Sequence, residues 1–153
     1  MPSLFPEIGM VWGDEEDWSG HEAESVEVQF GRSWRFDYDA GEFVLTPSGK
    51  VVAADGHEAW VQWCNKAVRT PRYRHVIYSR NYGSELEDLI GGGDSRGVVE
   101  SEIVRMVTET LLADPRTETV DQFAFDWERE VCRFSCRVTS VQEESMILES
   151  EVI

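Results

Sequence analysis

The sequence lacks the segments that mark secreted and membrane-spanning proteins. Its start, MPSLFPEIGMVWGDEED, has no basic region followed by an apolar one, and no apolar run reaches the roughly 18 residues of a membrane span. The three cysteines, Cys64, Cys132 and Cys136, are odd in number, which argues against a disulfide framework. We therefore expect a protein that is made in a reducing cytosol, has buried cysteines and has no membrane partner.

Positive charge is also scarce. The 153 residues include 14 Lys and Arg against 30 Asp and Glu, which gives a formal net charge of −16. Because such a surface repels the phosphate backbone, we expect no nucleic acid partner. Residues 1–31 contain eight carboxylates and no Lys or Arg, together with Trp12 and Trp18. We interpret this stretch as an acidic N-terminal arm whose tryptophans are either covered by a partner or folded back on the domain.

Patterns of catalytic and cofactor-binding residues are missing as well. There is no Gly-x-Ser-x-Gly elbow, and the glycine run 91–93 is not followed by the Gly-Lys-Ser/Thr of a phosphate-binding loop. Cys132 and Cys136 would lie roughly 13 Å apart along a strand at about 3.3 Å per residue, too far to share one metal ion. The histidines His21, His57 and His75 have no ligand spacing. We therefore expect no catalytic residue, no metal site and no cofactor.

The first folded segment begins near Arg32. Trp34, Phe36 and Tyr38 alternate with polar residues, a turn sequence follows at 39–41, and the alternation resumes at Phe43, which predicts a β-hairpin. Asp55 and Glu58 form a capping box for a helix that Pro71 should stop. Its buried face should consist of Trp60, Trp63, Cys64, Ala67 and Val68.

Basic residues concentrate after this helix. Arg69, Arg72, Arg74, His75 and Arg80 are interleaved with tyrosines, and in so acidic a chain we expect them to meet carboxylates rather than RNA. Ser84 and Glu87 form a second capping box, which predicts a short helix with its apolar residues inward. Those residues are Leu86, Leu89 and Ile90. The glycine run then reads as a connector.

The longest amphipathic pattern precedes a sharp stop. Its apolar residues, spaced as on one face of a helix, are Val99, Ile103, Met106, Val107 and Leu111. Pro115 should close this helix near Ala113 and place Arg116 just beyond its carboxyl end. Two interpretations follow: a core helix with a stop signal, or a rigid charged corner, Asp114-Pro115-Arg116, that is presented to a partner.

Strand patterns dominate the remainder. Phe123, Phe125 and Trp127 alternate strictly, a turn is expected at 128–130, and a second alternating strand follows. Residues 146–153 form a third candidate strand, which we expect to reach out to a neighbour rather than fold back. The pattern predicts the α+β class, with two or three main helices packed on a small, mainly antiparallel sheet. The expected divisions are an arm at 1–31, a single domain at 32–142, and a C-terminal strand or tail at 143–153.

Several segments together carry a family resemblance. GRSWRFD, GEFVLTPSGKV, YSRNYGSELEDLIG and ESEIVRMVTETLLADPR resemble the small baseplate wedge proteins, or sheath initiators, of contractile phage tails. This is the lysozyme-like wedge protein family, and the nearest likeness is to the XkdS-like baseplate subunits of phage-like particles and contractile bacteriocins. The resemblance covers about residues 31–142. The family's corner is usually Glu-Pro-Arg, so Asp114 keeps the charge but shortens the reach.

The resemblance implies a structural role without enzymatic activity. It implies a baseplate subunit that joins the wedge proteins to the first sheath ring and initiates sheath assembly, in multiple copies around the tail axis. Its partners would be wedge proteins and the sheath protein, with tail tube or hub proteins as further contacts. It would be found in the bacterial cytoplasm during assembly and in the baseplate afterwards. The alternative is a small acidic adaptor or regulator that binds a basic protein outside any tail.

The resemblance also implies two binding surfaces. The wedge proteins would be gripped by Tyr82, Gly83, Asp114, Pro115 and Arg116. An open strand edge would accept strands from sheath subunits by β-augmentation. The residues expected at that edge are Val131, Cys132, Arg133, Phe134, Ser135, Cys136, Met146, Ile147 and Leu148.

Overall fold

The computed structural model describes residues 27–89 and 91–153. The predictions about Trp12, Trp18 and Ile90 lie outside these residues. Seven strands, two α-helices and one 3-10 turn follow one another along the described chain. In order they are β1 (Arg32–Trp34), β2 (Phe36–Asp37), β3 (Glu42–Phe43), β4 (Ala53–Asp55), α1 (His57–Arg69), the 3-10 turn Leu86–Leu89, α2 (Arg96–Leu112), β5 (Thr117–Glu128), β6 (Val131–Ser140) and β7 (Ser145–Val152).

The predicted hairpin is present. β2 and β3 pair antiparallel, and the Asp37 carboxylate accepts the backbone amides of Asp39 and Ala40, which fixes the turn between them. The rings of Phe36 and Phe43 pack edge to face across the pair, with centroids 5.2 Å apart. The flanking strands β1 and β4 also pair antiparallel. The sequence pattern had not predicted β4.

Helix α1 buries the predicted face and ends before Pro71. Trp60, Cys64, Ala67 and Val68 are buried, and Trp63 packs against the core at its edge. The predicted capping box is wrong, because Asp55 belongs to β4 and its carboxylate accepts the Arg32 guanidinium at 2.7 Å. The residue at the cap is Gly56, with a φ of 58° that favours glycine.

The second capping box is also wrong. The Ser84 hydroxyl is buried and donates to the Val68 carbonyl at 2.6 Å, so it ties the segment to the end of α1 instead of capping a helix. The predicted short helix is a single 3-10 turn whose Leu86 is buried. Helix α2 fits its prediction better, since Ile103, Met106, Val107 and Leu111 are buried and the helix ends at Leu112, beside the expected Ala113.

The three long strands form one antiparallel sheet in the order β5-β6-β7. A two-residue turn joins β5 to β6, as predicted, and β5 has an irregularity between Asp121 and Ala124, where Gln122 adopts a φ of 53°. β7 pairs with β6 from Ser145 to Val152. The expectation that this segment reaches out to a neighbour is therefore wrong.

The helices and the sheet enclose one core. The residues with no exposed surface include Trp60 of α1, Ile103 and Leu111 of α2, Val138 of β6 and Leu148 of β7. Two helices on a mainly antiparallel sheet confirm the predicted α+β class. In residues 27–89 and 91–153 no helix is long and apolar enough to cross a membrane.

Candidate functional site: the corner after α2 and the sheet edges

The corner is built around a fork between Asp114 and Arg116. The Arg116 guanidinium donates from Nε to Asp114 Oδ1 at 2.8 Å and from Nη2 to Asp114 Oδ2 at 2.7 Å. Its Nη1 donates to the Phe30 carbonyl at 2.7 Å. Because planar guanidinium and carboxylate groups match in this geometry, the fork fixes both side chains.

The same guanidinium connects the corner to α1. It lies over the Trp63 ring, 5.6 Å from the centroid, and the neighbouring Trp60 donates its indole N–H to the Thr117 hydroxyl at 3.0 Å. Only 14% of the Arg116 side chain and 9% of the Asp114 side chain are exposed. The corner therefore braces the segment before β1, α1 and the start of β5.

This arrangement corrects the expectation that the corner presents its charges to a partner. Asp114 is buried, and Arg116 uses its side-chain N–H groups on Asp114 and Phe30. Pro115 is the exposed residue of the three. A contact between the corner and a wedge protein stays a prediction. The charged side chains of Asp114 and Arg116 bond within the domain instead of pointing towards such a partner.

The segments that meet at Pro115 include two exposed apolar side chains. Leu112, at the end of α2, is 47% exposed, and Val141, in the turn after β6, is 41% exposed. The backbone amide of Val141 donates to the Arg116 carbonyl at 2.9 Å, which brings that turn against the corner. Leu112, Ala113, Pro115 and Val141 are called the corner patch below.

Tyr82 and Gly83 join the same region through Trp63. The Tyr82 ring packs edge to face on Trp63 at 5.8 Å, and burial raises the pKa of its phenol. Gly83 is buried with a φ of +96°, and a Cβ there would stand 2.6 Å from the Thr70 carbonyl. Its own carbonyl accepts from Arg72 and Thr110, so Gly83 is a packing residue between α1 and α2.

The second predicted surface is misplaced on β6. Residues 131–136 belong to the central strand, paired on both sides, so they form no edge. The side chains of Cys132, Phe134 and Cys136 are buried in the core, whereas Arg133 is exposed on the opposite face. Burial, with the Asp121 carboxylate nearby, raises the pKa of the Cys136 thiol to about 12.

The edges of the described sheet are β5 and β7. Met146, Ile147 and Leu148 do lie on an edge strand, but the Arg69 guanidinium donates to the Glu149 carbonyl at 2.7 Å and so occupies part of that edge. For residues 118–128 of β5, the described chain provides no backbone hydrogen bond except those with β6. Since no strand among residues 27–89 and 91–153 pairs with the other side of β5, its outward N–H and C=O groups are open to a partner within the described fold.

The sequence contained a signal that β7 packs on the core of its own domain, and the prediction did not use it. Met146, Leu148 and Val152 are all at even-numbered positions, so in a strand they lie on the same face. This is the pattern of a strand with one buried face. No signal in the sequence pointed to the bond between Arg116 and the Phe30 carbonyl, because it links residues far apart in the chain. Within the described ranges, no group of three or more His, Cys, Asp or Glu could hold a metal ion.

The chain is similar to a described protein family and to a protein of a phage-like element. The model of a family described as "contractile injection system sheath initiator" matches residues 32–144. The chain is also similar to the phage-like element PBSX protein XkdS of Bacillus subtilis (strain 168). The two are 27% identical over 118 residues, which cover 76% of this chain and 79% of that protein.

Proposed function

Since the chain belongs to the sheath-initiator family of contractile injection systems, we propose that it joins the baseplate wedge proteins to the first sheath ring. In this proposal several copies lie around the tail axis, close to tail tube or hub proteins. The protein is in the bacterial cytoplasm during assembly and in the baseplate afterwards. The observation that carries the proposal is the open outer edge of β5, on the longest strand of the sheet.

The β5 edge is suited to receive a strand. Nine of its 12 residues are paired with β6 on one side, and about half of the backbone groups of an edge strand face outward. Each main-chain hydrogen bond contributes only about 0.5–1.5 kcal/mol net, but several along one edge, repeated around a ring, add up. An arm from a sheath subunit that pairs with β5 would continue the sheet.

The charge on β5 indicates what kind of strand would bind. Glu118, Asp121, Asp126 and Glu128 are exposed along it, and the irregularity near Gln122 interrupts its pairing. Acidic side chains and bulges discourage two identical edges from pairing with each other. We therefore infer that the incoming sheath strand has Lys or Arg side chains, because opposite charges on neighbouring strands are favourable.

The wedge contact is assigned to the corner patch. Leu112 and Val141 are its large exposed apolar side chains, and the Asp114–Arg116 fork keeps the backbone of the corner in one conformation. A rigid apolar surface loses little conformational freedom on binding. In this proposal the guanidinium acts through the shape of the corner and not by direct contact.

The test is sheath growth on purified baseplates. Baseplates from cells that lack this protein should not support an extended sheath in electron micrographs when purified sheath protein is added. Addition of the purified protein should restore growth. Normal sheath growth without the protein would contradict the proposal, and binding to a basic protein unrelated to tails would then favour the adaptor alternative.

A further inference from the structure

Charge is separated along the chain in a way that sheath initiation does not explain. Residues 59–84 contain one Lys and four Arg but no Asp or Glu, whereas residues 1–31 contain eight carboxylates and no Lys or Arg. Two segments of opposite charge in one acidic chain attract each other at ordinary ionic strength. The structure shows what surface the basic segment forms.

Lys66 and Arg69 of that segment line a groove of about 670 Å³ beside α1, whereas Arg72, Arg74 and Arg80 do not. The hairpin supplies Phe36 and Phe43, α1 supplies Trp63, and the segment after α1 supplies Tyr78 and Tyr82. At its outer end Trp34 is 57% exposed. Aromatic walls of this kind suit a large apolar side chain such as an indole.

The groove also holds cations and no carboxylate among its described lining residues. Lys66 Nζ lies 5.0 Å from the centroid of the Tyr78 ring, and the Arg69 guanidinium lies 4.8 Å from that of Tyr38. The Lys66 side chain is exposed and forms no ion pair with any residue in the described part of the chain. An acidic segment that contains an aromatic residue would match both features of the groove.

We propose that the groove binds the Trp12–Trp18 segment of this chain's own N-terminal arm. This segment places Asp14, Glu15, Glu16 and Asp17 between two tryptophans. An indole would enter between the aromatic walls, and the carboxylates would face Lys66 and Arg69. No other stretch of the sequence combines two tryptophans with four consecutive carboxylates.

The connection favours the chain's own arm over a segment from another molecule. Arg32 lines the groove, and eleven residues separate Trp18 from Phe30. At about 3.3 Å per residue such a link spans up to about 36 Å, so its length allows the segment to return to the groove. Covalent attachment through so short a link also raises the effective concentration of the segment at the groove above that of a free partner.

Paramagnetic relaxation in the full-length protein tests the proposal. A nitroxide on Ser19→Cys is suitable because the three native thiols are buried. We expect strong broadening of the amide signals of Gln62, Lys66 and Tyr78, and none for Ser101 on the exposed side of α2. At about 0.5 M salt, where exposed charges are largely screened, the broadening should fall at least about twofold.

Lys66→Glu should cause a similar fall, whereas Lys50→Glu, the same charge change outside the groove, should not. Replacement of Asp14, Glu15, Glu16 and Asp17 by their amides is a second variant that leaves the domain untouched and should also weaken the broadening. Absence of broadening, or equal effects of the two lysine variants, would overturn the proposal. Broadening that appears only between labelled and unlabelled molecules in a mixed sample would assign the groove to a second copy and overturn it too.

Discussion

At the scale of single residues, Arg116 stabilises its own domain, whereas its position in the sequence suggested a contact with a partner. Its place after a helix and a proline correctly predicted a rigid turn with a cation at the helix end. The sequence could not show that Asp114 and the Phe30 carbonyl would accept its N–H groups. Spacing along a chain specifies local turns, but not which distant carbonyl a guanidinium will meet.

Arg116→Ala should therefore destabilise the domain itself. Removal of the guanidinium leaves the buried Asp114 carboxylate without its partner, and breaking such a pair from one side costs about 3–5 kcal/mol. The free energy of unfolding from urea titration measures the loss. Pro115→Ala is the control in the same turn, because it leaves the fork in place. If the Arg116→Ala domain is as stable as the wild type and only fails to enter baseplates, the result would instead support a direct contact between Arg116 and a wedge protein.

The buried thiols give a pH dependence with a defined sign. Burial, followed by the Asp114 carboxylate, raises the pKa of Cys64 to about 12, and that of Cys136 is also about 12. The thiol of an unfolded cysteine has a pKa of about 8.5, so the folded chain holds these protons more tightly. The contribution to stability is complete below that pH and declines as the pH rises towards 12.

Two measurements check this prediction. Ellman's reagent at about pH 8, close to the pKa of a free thiol, should label no cysteine of the native protein and three after unfolding. The free energy of unfolding should fall between about pH 9 and 11, and Cys136→Ala should reduce the slope. Rapid labelling of the folded protein would show that these thiols are not sealed in the core.

At the scale of elements, β7 shows where prediction from pattern succeeded and where it failed. Alternation located β5 and β6, because burial on one face leaves a period of two in the sequence, and residues 146–153 were a third candidate strand. Strand order leaves no such trace, so the central place of β6 and the inclusion of β7 were missed. The helices were easier, since α1 and α2 bury the faces that their spacing predicted, while both capping boxes failed because Asp55 and Ser84 bond elsewhere.

Neighbouring substitutions on β7 distinguish a core strand from a free tail. Leu148 is fully buried, so Leu148→Ala should cost about 2–5 kcal/mol in the free energy of unfolding. Ile147 is 58% exposed on the opposite face, and Ile147→Ala should stay within about 0.5 kcal/mol of the wild type. Equal and small effects would mean that the segment does not belong to the folded domain, as the sequence had suggested.

At the scale of the whole molecule, the two surfaces proposed for the tail partners lie on different parts of the fold. The corner patch follows α2, and the open edge runs along the outer side of β5. Family membership and the α+β class were both within reach of the sequence, because they depend on motifs and periodicity. The free edge could be located only from the strand order, which the structure provides.

A matched pair of substitutions tests the corner patch. Val141 and Val98 are 41% and 49% exposed, and Val98 lies at the other end of α2. Burial of a valine at an interface contributes roughly 1.5–3 kcal/mol, so Val141→Asp should weaken baseplate binding about tenfold or more. Val98→Asp should not, and both variants should fold. Equal binding of the two proteins to purified wedge complexes would place the contact elsewhere.

The open edge of β5 is tested most directly by a cryo-electron microscopy map of the baseplate with its first sheath ring. We predict a strand from a sheath subunit beside residues 118–128, at the spacing of about 4.8 Å that main-chain hydrogen bonds impose. A map in which this edge faces solvent while the sheath subunit contacts another surface would contradict the assignment.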